Sequence, residues 1–299
     1  MPTLATTDGL LLVDKPVGVS SHDIVGAARR CFGEKRIGHA GTLDPFATGL
    51  LVLCAGRATR LLSHLPNEPK VYDAVIRFGA ETDTEDLLGA VVREAPRPTR
   101  EALLAALPRF VGQIEQVPPA YSAKRIDGQR AYALARAGEE VILKPVIIRV
   151  DRWEVLALRL DDQGHVLEAD VRITCGGGTY IRSLARDLAR AVGSAAHLIA
   201  LRRTRSGAFS VKDAVTLEDL REKRAVLRPA LDAVPHVPLQ ALTDEELLKI
   251  VRGIEIPAQV EGNWVALVRE DRPVLVALAE RRADRWQPRV VMREVKDAT

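Results

Sequence analysis

Residues 167–175 alternate strictly between apolar and polar side chains, and this pattern is the strongest structural constraint in the sequence. Strict alternation predicts a strand with one buried face and one solvated face. A run of three glycines at 176–178 ends the strand, and Thr179 is the predicted N-cap of a following helix. One face of that helix is apolar, and the other carries three arginines spaced four residues apart: Arg182, Arg186 and Arg190.

Arg182 falls in the first turn of this predicted helix, where a cation opposes the helix dipole. We therefore expect Arg182 to have an anionic partner. The glycine run before the helix could hold a phosphate at the helix N-terminus. It has neither the Walker spacing nor the dinucleotide-binding spacing, so no nucleotide cofactor is indicated.

A second feature is the stretch GHAGTLDPFATG at residues 38–49, for which we predict an irregular loop. Its three glycines and one proline are unfavourable in a regular helix or strand. The apolar run 50–54 that follows predicts a buried strand, which anchors the end of the loop. Asp44 is the only carboxylate in the loop. Asp-Pro is a common turn dipeptide, so a surface turn is one interpretation; if the loop is a site, Asp44 is its nucleophile or base.

The neighbouring elements follow from shorter patterns. Residues 10–13 form a short apolar strand, and Ser20 with Asp23 gives the capping-box signal of a helix after it. Residues 71–79 alternate, and Tyr72 begins their apolar face. Further helices are predicted at 57–65 and 99–107.

The acidic segment ETDTED at 81–86 lacks the glycine and the final glutamate of a calcium loop, and we predict a solvated turn. Basic residues and tyrosines interleave from Val117 to Arg136. This composition suits single-stranded nucleic acid, which needs charge for its phosphates and rings for stacking. An exposed basic helix is the alternative.

Composition limits the remaining classes. The net charge of +3 permits a nucleic-acid partner without indicating one. Cys31, Cys54 and Cys175 are isolated, as in proteins of reducing compartments. We see no signal peptide and no run as long as a membrane span, and we expect a cytoplasmic protein. Without a heptad pattern or a long apolar edge, we expect a monomer.

The C-terminal part predicts a small separate β unit. A boundary is expected near residues 234–238, and Thr243 with Glu246 forms a capping box for a short helix. Short strands are predicted after it, at 254–260, 264–269, 274–279 and 289–292.

The residues available for chemistry are one loop carboxylate, one arginine at a helix start and a few tyrosines. A classical glycosidase needs two carboxylates around the bond, and nothing in the sequence brings Asp187 to Asp44. A single carboxylate can instead attack a nucleoside as a nucleophile, while an arginine keeps it ionised and aimed.

Several segments resemble the bacterial tRNA pseudouridine synthase B family, over nearly the whole chain. GHAGTLDP at 38–45 is similar to the family's catalytic motif, and GTYIRSL at 178–184 to the motif with its active-site tyrosine and arginine. Further similar segments are DKPVGVSS at 14–21, the strand 70–79, VPPAYSA at 117–123 and HLIALRRT at 197–204. Ala40 and the pair Lys144-Pro145 depart from the family pattern, away from the catalytic positions.

The resemblance implies an α/β (α+β) fold with a mixed, largely antiparallel central sheet and flanking helices. It implies a catalytic domain at residues 1–236 that contains an RNA-gripping insertion at about 116–150. Residues 237–299 would be a small PUA-like RNA-binding β domain. The implied partner is the T stem-loop of tRNA, with no protein partner required and no membrane.

The activity implied by the resemblance is a cofactor-free isomerisation of uridine 55 in the T loop of tRNA to pseudouridine. Asp44 would attack the target nucleoside at ribose C1′ or uracil C6, so that the base detaches, turns and rejoins through C5. Arg182 would pair with Asp44. Tyr72 would stack on the target base and could help to remove the C5 proton.

The resemblance also implies substrate-binding residues around a flipped-out uridine, whose extrusion costs a few kcal/mol. Tyr180 and Leu201 would line the uracil pocket, and His39 would fill the gap left in the T loop. Lys15 would support the site or contact RNA; by its pattern alone, at the end of strand 10–13, it is a solvated lysine.

Two other functions compete with this interpretation. A non-catalytic RNA-binding or RNA-folding protein would act through its affinity for RNA. A carboxylate beside phosphates repels RNA, so the presence of Asp44 argues against this class. A nucleoside glycosidase or base-excision enzyme would release free uracil.

Overall fold

The computed structural model describes residues 7–122, 125–126, 129–130, 143–271 and 273–292. Its strands are β1 Gly9–Lys15, β2 Ile37–Ala40, β3 Thr48–Ala55, β4 Lys70–Phe78, β5 Ala80–Thr82, β6 Val91–Glu94, β7 Gly112–Gln116, β8 Arg125–Ile126, β9 Gln129–Arg130, β10 Val146–Leu160, β11 Val166–Cys175, β12 Ala196–Ser206, β13 Phe209–Ser210, β14 Val215–Thr216, β15 Leu239–Leu242, β16 Ile256–Pro257, β17 Trp264–Arg269, β18 Leu275–Arg282 and β19 Arg285–Val291. Its α-helices are α1 Ser21–Phe32, α2 Arg100–Ala106, α3 Ile181–Ala191, α4 Leu217–Arg221 and α5 Asp244–Val251. Short 3-10 helices lie at Gly56–His64, Leu107–Phe110, Val211–Asp213 and Ala230–Ala233.

The chain forms two compact units, each built from separate stretches of sequence. The first contains residues 1–43, 50–67 and 208–299, and the second contains residues 44–49 and 68–207. The predicted boundary between residues 236 and 237 stays a prediction.

The first unit is built around β1, which lies between β14 and β3. β1 and β14 run parallel, with Val13 opposite Val215, whereas β2 and β3 run antiparallel. The predicted capping box of α1 is confirmed, because the Asp23 N–H donates to the Ser20 side chain and Asp23 accepts from the Ser20 N–H. The helix packs Ile24 and Ala28 into a core with β1 and β3.

The C-terminal strands of this unit form a separate sheet in the order β15-β17-β18-β19-β16. The small β unit predicted for this region is confirmed as a sheet, and the capping box of Thr243 and Glu246 at the start of α5 is confirmed. Leu275 and Met292 share one apolar cluster with Leu10 and Leu50. The sheet therefore packs into the same core as β1 and β3. Its PUA-like character stays a prediction.

The second unit is an antiparallel sheet in the order β12-β4-β11-β10-β7. The strand predicted at 167–175 is confirmed, and so is its alternation from Ala169 onwards, because Ala169, Val171, Ile173 and Cys175 are buried. Leu167, predicted on the same face, is half-buried, because a register shift lies opposite the start of β11. Tyr72 on β4 lies opposite Ile173 on β11 and opposite Arg203 on β12. α3 packs on β12. The two units together confirm the mixed, largely antiparallel α/β architecture expected from the sequence.

The prediction that residues 38–49 avoid regular structure is wrong at both ends. β2 continues through Ala40, and β3 begins at Thr48. Glycines occupy these strand positions because close neighbours leave no room for a Cβ atom. A Cβ on Gly38 would lie 2.8 Å from Leu62 Cδ1, and one on Gly49 would lie 2.2 Å from the Arg203 carbonyl oxygen. The irregular part of the stretch is residues 41–47.

In the described residues, no helix is both long and apolar enough to cross a membrane.

Candidate active site

The loop that carries Asp44 is held on its N-terminal side by a serine of α1. The Ser21 hydroxyl accepts a hydrogen bond from the Leu43 N–H at 2.9 Å and donates one to the Leu43 carbonyl at 3.0 Å. Ser21 is buried. Sequence reasoning missed this residue, because its partners are backbone groups and no side-chain pattern indicates them.

The C-terminal side of the loop is held by β12. Thr48 and Gly49 pair in parallel with Arg202 and Arg203, and the Thr48 hydroxyl donates to the Leu201 carbonyl at 3.4 Å. Gly49 has a φ of 99°, in the region that favours glycine, and its Cα lies against the Arg203 backbone. Both ends of the loop are thus fixed, which restricts the position of Asp44.

Asp44 forms an ion pair with Arg182, the arginine in the first turn of α3. Arg182 Nε lies 2.9 Å from Asp44 Oδ2. The anionic partner expected for Arg182 is therefore present, and it is the carboxylate of the loop. An opposite charge at hydrogen-bond distance favours the ionised form of a carboxylate, which is the form that acts as a nucleophile or base.

The rest of the Arg182 guanidinium is held by the protein. Its Nη1 donates to the Thr84 carbonyl at 2.6 Å and its Nη2 to the Tyr121 carbonyl at 2.9 Å, with Asp86 Oδ2 4.0 Å from Nη1. The Arg182 side chain is 4% exposed, whereas the Asp44 side chain is 35% exposed. The arginine is therefore a fixed part of the interior, and the carboxylate can still reach a substrate.

The acidic segment 81–86 is not the solvated turn that its composition suggests, and that prediction was wrong. Glu85 is buried and pairs with Arg186, and it accepts a hydrogen bond from the Ser183 hydroxyl at 2.8 Å. Glu81 is also buried and pairs with Arg190 at 2.6 Å. Burial raises the pKa of Glu85, although Arg186 opposes that shift. The segment is buried because the arginine face of α3 supplies its counter-charges.

Two tyrosines lie within electrostatic reach of Asp44. Tyr72 is buried on β4, and burial raises the pKa of its hydroxyl; Arg203 opposes the shift and the Asp44 carboxylate adds to it. Burial also raises the pKa of the Tyr180 hydroxyl, and Asp44 again adds to the shift. Both phenols are therefore neutral at physiological pH.

Leu201, which was predicted to line the uracil pocket, is a buried residue of β12. It lies on β12 opposite Ala74 of β4 and is 7% exposed. Within the second unit, the fold thus gathers Asp44, Arg182 and two tyrosines, with a leucine on the strand that anchors the loop.

Comparison with known proteins identifies the family of this chain. A model of the TruB family pseudouridylate synthase N-terminal domain matches residues 29–181, and a model of the tRNA pseudouridylate synthase B C-terminal domain matches residues 182–251. The chain belongs to the TruB family of pseudouridine synthases. The protein is therefore a tRNA pseudouridine synthase, which is an isomerase.

Relatives support the assignment along almost the whole chain. The tRNA pseudouridine synthase B of Thermobifida fusca is 44% identical over 288 residues, which cover 95% of this chain and 98% of that protein. The protein of the same name from Mycobacterium bovis is 44% identical over 281 residues, covering 89% and 93%. A crystal structure of a Cbf5-Nop10-Gar1 complex superposes with a TM-score of 0.70 at 23% identity, covering 98% of this chain and 87% of that one, and it confirms the fold.

Two of the TruB-family positions named from the sequence lie in the first unit. Lys15 is fully buried, and its Nζ donates to the carbonyls of Pro16 and Val19 at 3.0 and 2.8 Å. The pattern-based interpretation of a solvated lysine is therefore wrong, because the turn after β1 folds back over the ammonium group. His39 is half-buried on β2, opposite Leu53 of β3.

Of the insertion predicted at about 116–150, residues 123–124, 127–128 and 131–142 lie outside the described part of the chain. Its first residues, 116–122, are described, whereas the interleaved tyrosine and arginines at Tyr132, Arg130 and Arg136 lie outside the residues whose side chains are described. The described start is buried at Gln116, Pro118 and Pro119.

Two predictions about the start of α3 differ from the structure. The N-cap is Tyr180 rather than Thr179, and it makes no side-chain cap bond. The glycine run does not offer a free phosphate site, because the Gly177 N–H donates to Glu68 Oε1 at 2.8 Å.

Among the described residues, no group of three or more His, Cys, Asp and Glu side chains could hold a metal ion.

Proposed function

We propose that this protein converts uridine 55 in the T loop of tRNA to pseudouridine, with Asp44 as the nucleophile. The observation that supports the proposal is the pair between Arg182 Nε and Asp44 Oδ2 at 2.9 Å. The arginine is buried and all three of its nitrogen atoms have oxygen partners, while the carboxylate remains partly exposed. Such a pair keeps an anion ionised and aimed without enclosing it.

The reaction needs one bond exchanged for another. Asp44 attacks the nucleoside at ribose C1′ or uracil C6, and the C1′–N1 bond breaks. The base turns within the site and C5 bonds to C1′. The bond to Asp44 breaks as C5 takes its place at C1′, or, after attack at C6, is eliminated when the C5 proton is lost, so the free carboxylate is restored. The C5 proton then leaves to solvent, directly or through a base, and N1 takes up a proton. The atoms of the product are those of the substrate, so no oxidant, reductant or cofactor is consumed.

The neighbouring side chains suit a flipped-out pyrimidine. Tyr72 would stack on the base, and Tyr180 and Leu201 would line its pocket. Because the pKa of the Tyr72 hydroxyl is raised, the phenol is neutral. To accept the C5 proton, the Tyr72 oxygen would first have to give up its own proton in the complex with tRNA. We propose that His39 fills the gap left in the T loop and that Lys15 supports the turn after β1.

The remaining assignments are also proposals. The predicted insertion would grip the T stem-loop, and residues 237–299 would add PUA-like contacts to tRNA. The protein would act as a monomer, in the cytoplasm. Each follows from the family resemblance and awaits a direct test.

The deciding experiment is tritium release from a tRNA transcript labelled at uridine C5, with wild type and Asp44→Asn compared. Wild type should release tritium, and mapping should place the product at position 55. Asp44→Asn should abolish release while tRNA affinity stays within a few-fold, because the amide keeps the shape but cannot attack. Asp73→Asn is the matched control, since Asp73 is part of a surface pair with Arg172 at 2.7 Å.

Three results would change the conclusion. Persistent turnover by Asp44→Asn would remove Asp44 from the nucleophile role. Tight tRNA binding by wild type without tritium release would favour the RNA-folding function. Release of free uracil would indicate a glycosidase.

A further inference from the structure

Gln116, at the beginning of the predicted insertion, is bound to the start of α3 by both ends of its amide. Its Nε2 donates to the Tyr180 carbonyl at 3.0 Å, and its Oε1 accepts from the Tyr180 N–H at 2.9 Å. Gln116 is 1% exposed. A buried amide whose donor and acceptor both reach one backbone residue fixes that residue in position and orientation.

Tyr180 is the residue that needs such a partner. It is the N-cap of α3, and its own side chain makes no cap bond. Arg182 follows two residues later, in the first turn. Gln116 therefore holds the residue at which α3 begins, two positions before the arginine that pairs with Asp44.

Two arginines of α3 attach the same segment at further points. Arg186 Nη2 donates to the Val117 carbonyl at 2.8 Å, and Arg182 Nη2 donates to the Tyr121 carbonyl at 2.9 Å. Arg182 is thus bonded at once to Asp44 and to the segment 116–122, which we call the stem. A displacement of the stem must shift the acceptors of the Arg182 guanidinium or break its bonds.

We propose that Gln116 is a positioning residue that couples the stem of the insertion to the Asp44–Arg182 pair. The inference rests on the proposed function, and it assigns the stem a role in turnover besides any role in gripping RNA. Loss of the Gln116 bonds should let the start of α3 move relative to Asp44. A displacement of about 1 Å in a reacting group can lower a rate by up to roughly 100-fold.

The test is Gln116→Met, which removes both hydrogen bonds and keeps the length of the side chain. Single-turnover tritium release at saturating enzyme gives the rate of the bound complex, and filter binding gives the Kd for tRNA. We expect a rate lower by roughly 10- to 100-fold, with Kd within about threefold of wild type. Gln113→Met is the matched control, because Gln113 lies on the same strand, is exposed and should leave both values unchanged.

A double variant separates positioning from general destabilisation. If Gln116 acts through Arg182, then adding Gln116→Met to Arg182→Lys should cost much less than it costs in wild type. Multiplicative losses would overturn the proposal, as would a Gln116→Met effect on Kd alone or an unchanged saturated rate. If Gln116→Met fails to fold by circular dichroism, Gln116→Asn, which is too short to reach both Tyr180 groups, decides the question by the same criteria. Wild-type turnover is measured in parallel, so a failure of the proposed function itself would be seen separately.

Discussion

Replacing Arg182 by lysine is the sharpest test of how this site holds its carboxylate. The guanidinium makes three hydrogen bonds of 2.6 to 2.9 Å, to Asp44 and to the carbonyls of Thr84 and Tyr121. A lysine ammonium keeps the charge but cannot reach three acceptors arranged around a planar fork. At least two bonds are lost, and hydrogen bonds to charged groups contribute about 1.5–3 kcal/mol each.

The expected loss follows from these contacts. Two such bonds correspond to about 3–6 kcal/mol. If about half of this acts on the position of Asp44 in the transition state, the saturated rate falls by roughly 10- to 100-fold, since each 1.4 kcal/mol is a factor of ten. The remainder should lower the free energy of unfolding, because the partly buried carbonyls of Thr84 and Tyr121 lose the guanidinium as their donor.

The assay is single-turnover tritium release with saturating enzyme, together with a urea denaturation curve for each variant. Arg190→Lys is the matched control, because Arg190 is two turns further along α3 and its side chain is 54% exposed. We expect it to change the rate by less than about threefold, because the bonds of Arg190 go to Glu81 and not to Asp44; since Glu81 is buried, this control can lower the free energy of unfolding, which the urea curves record. A near-normal saturated rate for Arg182→Lys would refute the argument that the three-point hold on the guanidinium matters for chemistry.

Two further predictions concern stability. Gly49→Ala should lower the free energy of unfolding by more than about 2 kcal/mol, because the new Cβ would meet the Arg203 backbone at 2.2 Å in addition to the cost of a positive φ. Gly164→Ala is the control, because Gly164 also has a positive φ, of 82°, but has open space around it. Equal losses for the two variants in urea denaturation would contradict the packing argument. Arg77 holds the pKa of Glu168 below its usual value of 4.5, so the stability that this carboxylate contributes is present above pH 4.5 and is lost as the pH falls. The melting temperature of wild type should therefore fall more steeply below pH 4.5 than that of Glu168→Gln, and parallel pH curves would show that the Arg77–Glu168 pair contributes nothing.

Local sequence patterns predicted much of the fold. The strand at residues 167–175, the alternating strand predicted at 71–79 and the capping box at Ser20 depend on neighbours within a few residues, and the structure confirms all three elements. The strand bounds at Trp264–Arg269 also agree with the prediction. Such patterns are visible in a sequence because burial of one face imposes the period of the element itself.

The errors have a common physical origin. Lys15 and the acidic segment 81–86 were predicted to be solvated because charged side chains are rarely buried alone. Both are buried because distant or backbone groups compensate them: the carbonyls of Pro16 and Val19 for the lysine, and the arginines of α3 for Glu81 and Glu85. A charge run does not reveal whether a partner will be supplied across the fold.

The sequence by itself determined several strands, the two capping boxes and, through its motifs, the family and the choice of Asp44 as the candidate nucleophile. The family resemblance also gave Arg182 as the partner of Asp44, but only the tertiary structure showed the groups that support them: Ser21 at Leu43, Gly49 against Arg203, and Gln116 at the start of α3. Several of these contacts join a side chain to a backbone group far away in the chain. Backbone groups are the same at every position, so the sequence has no signal for which one a side chain will meet until the fold brings them together.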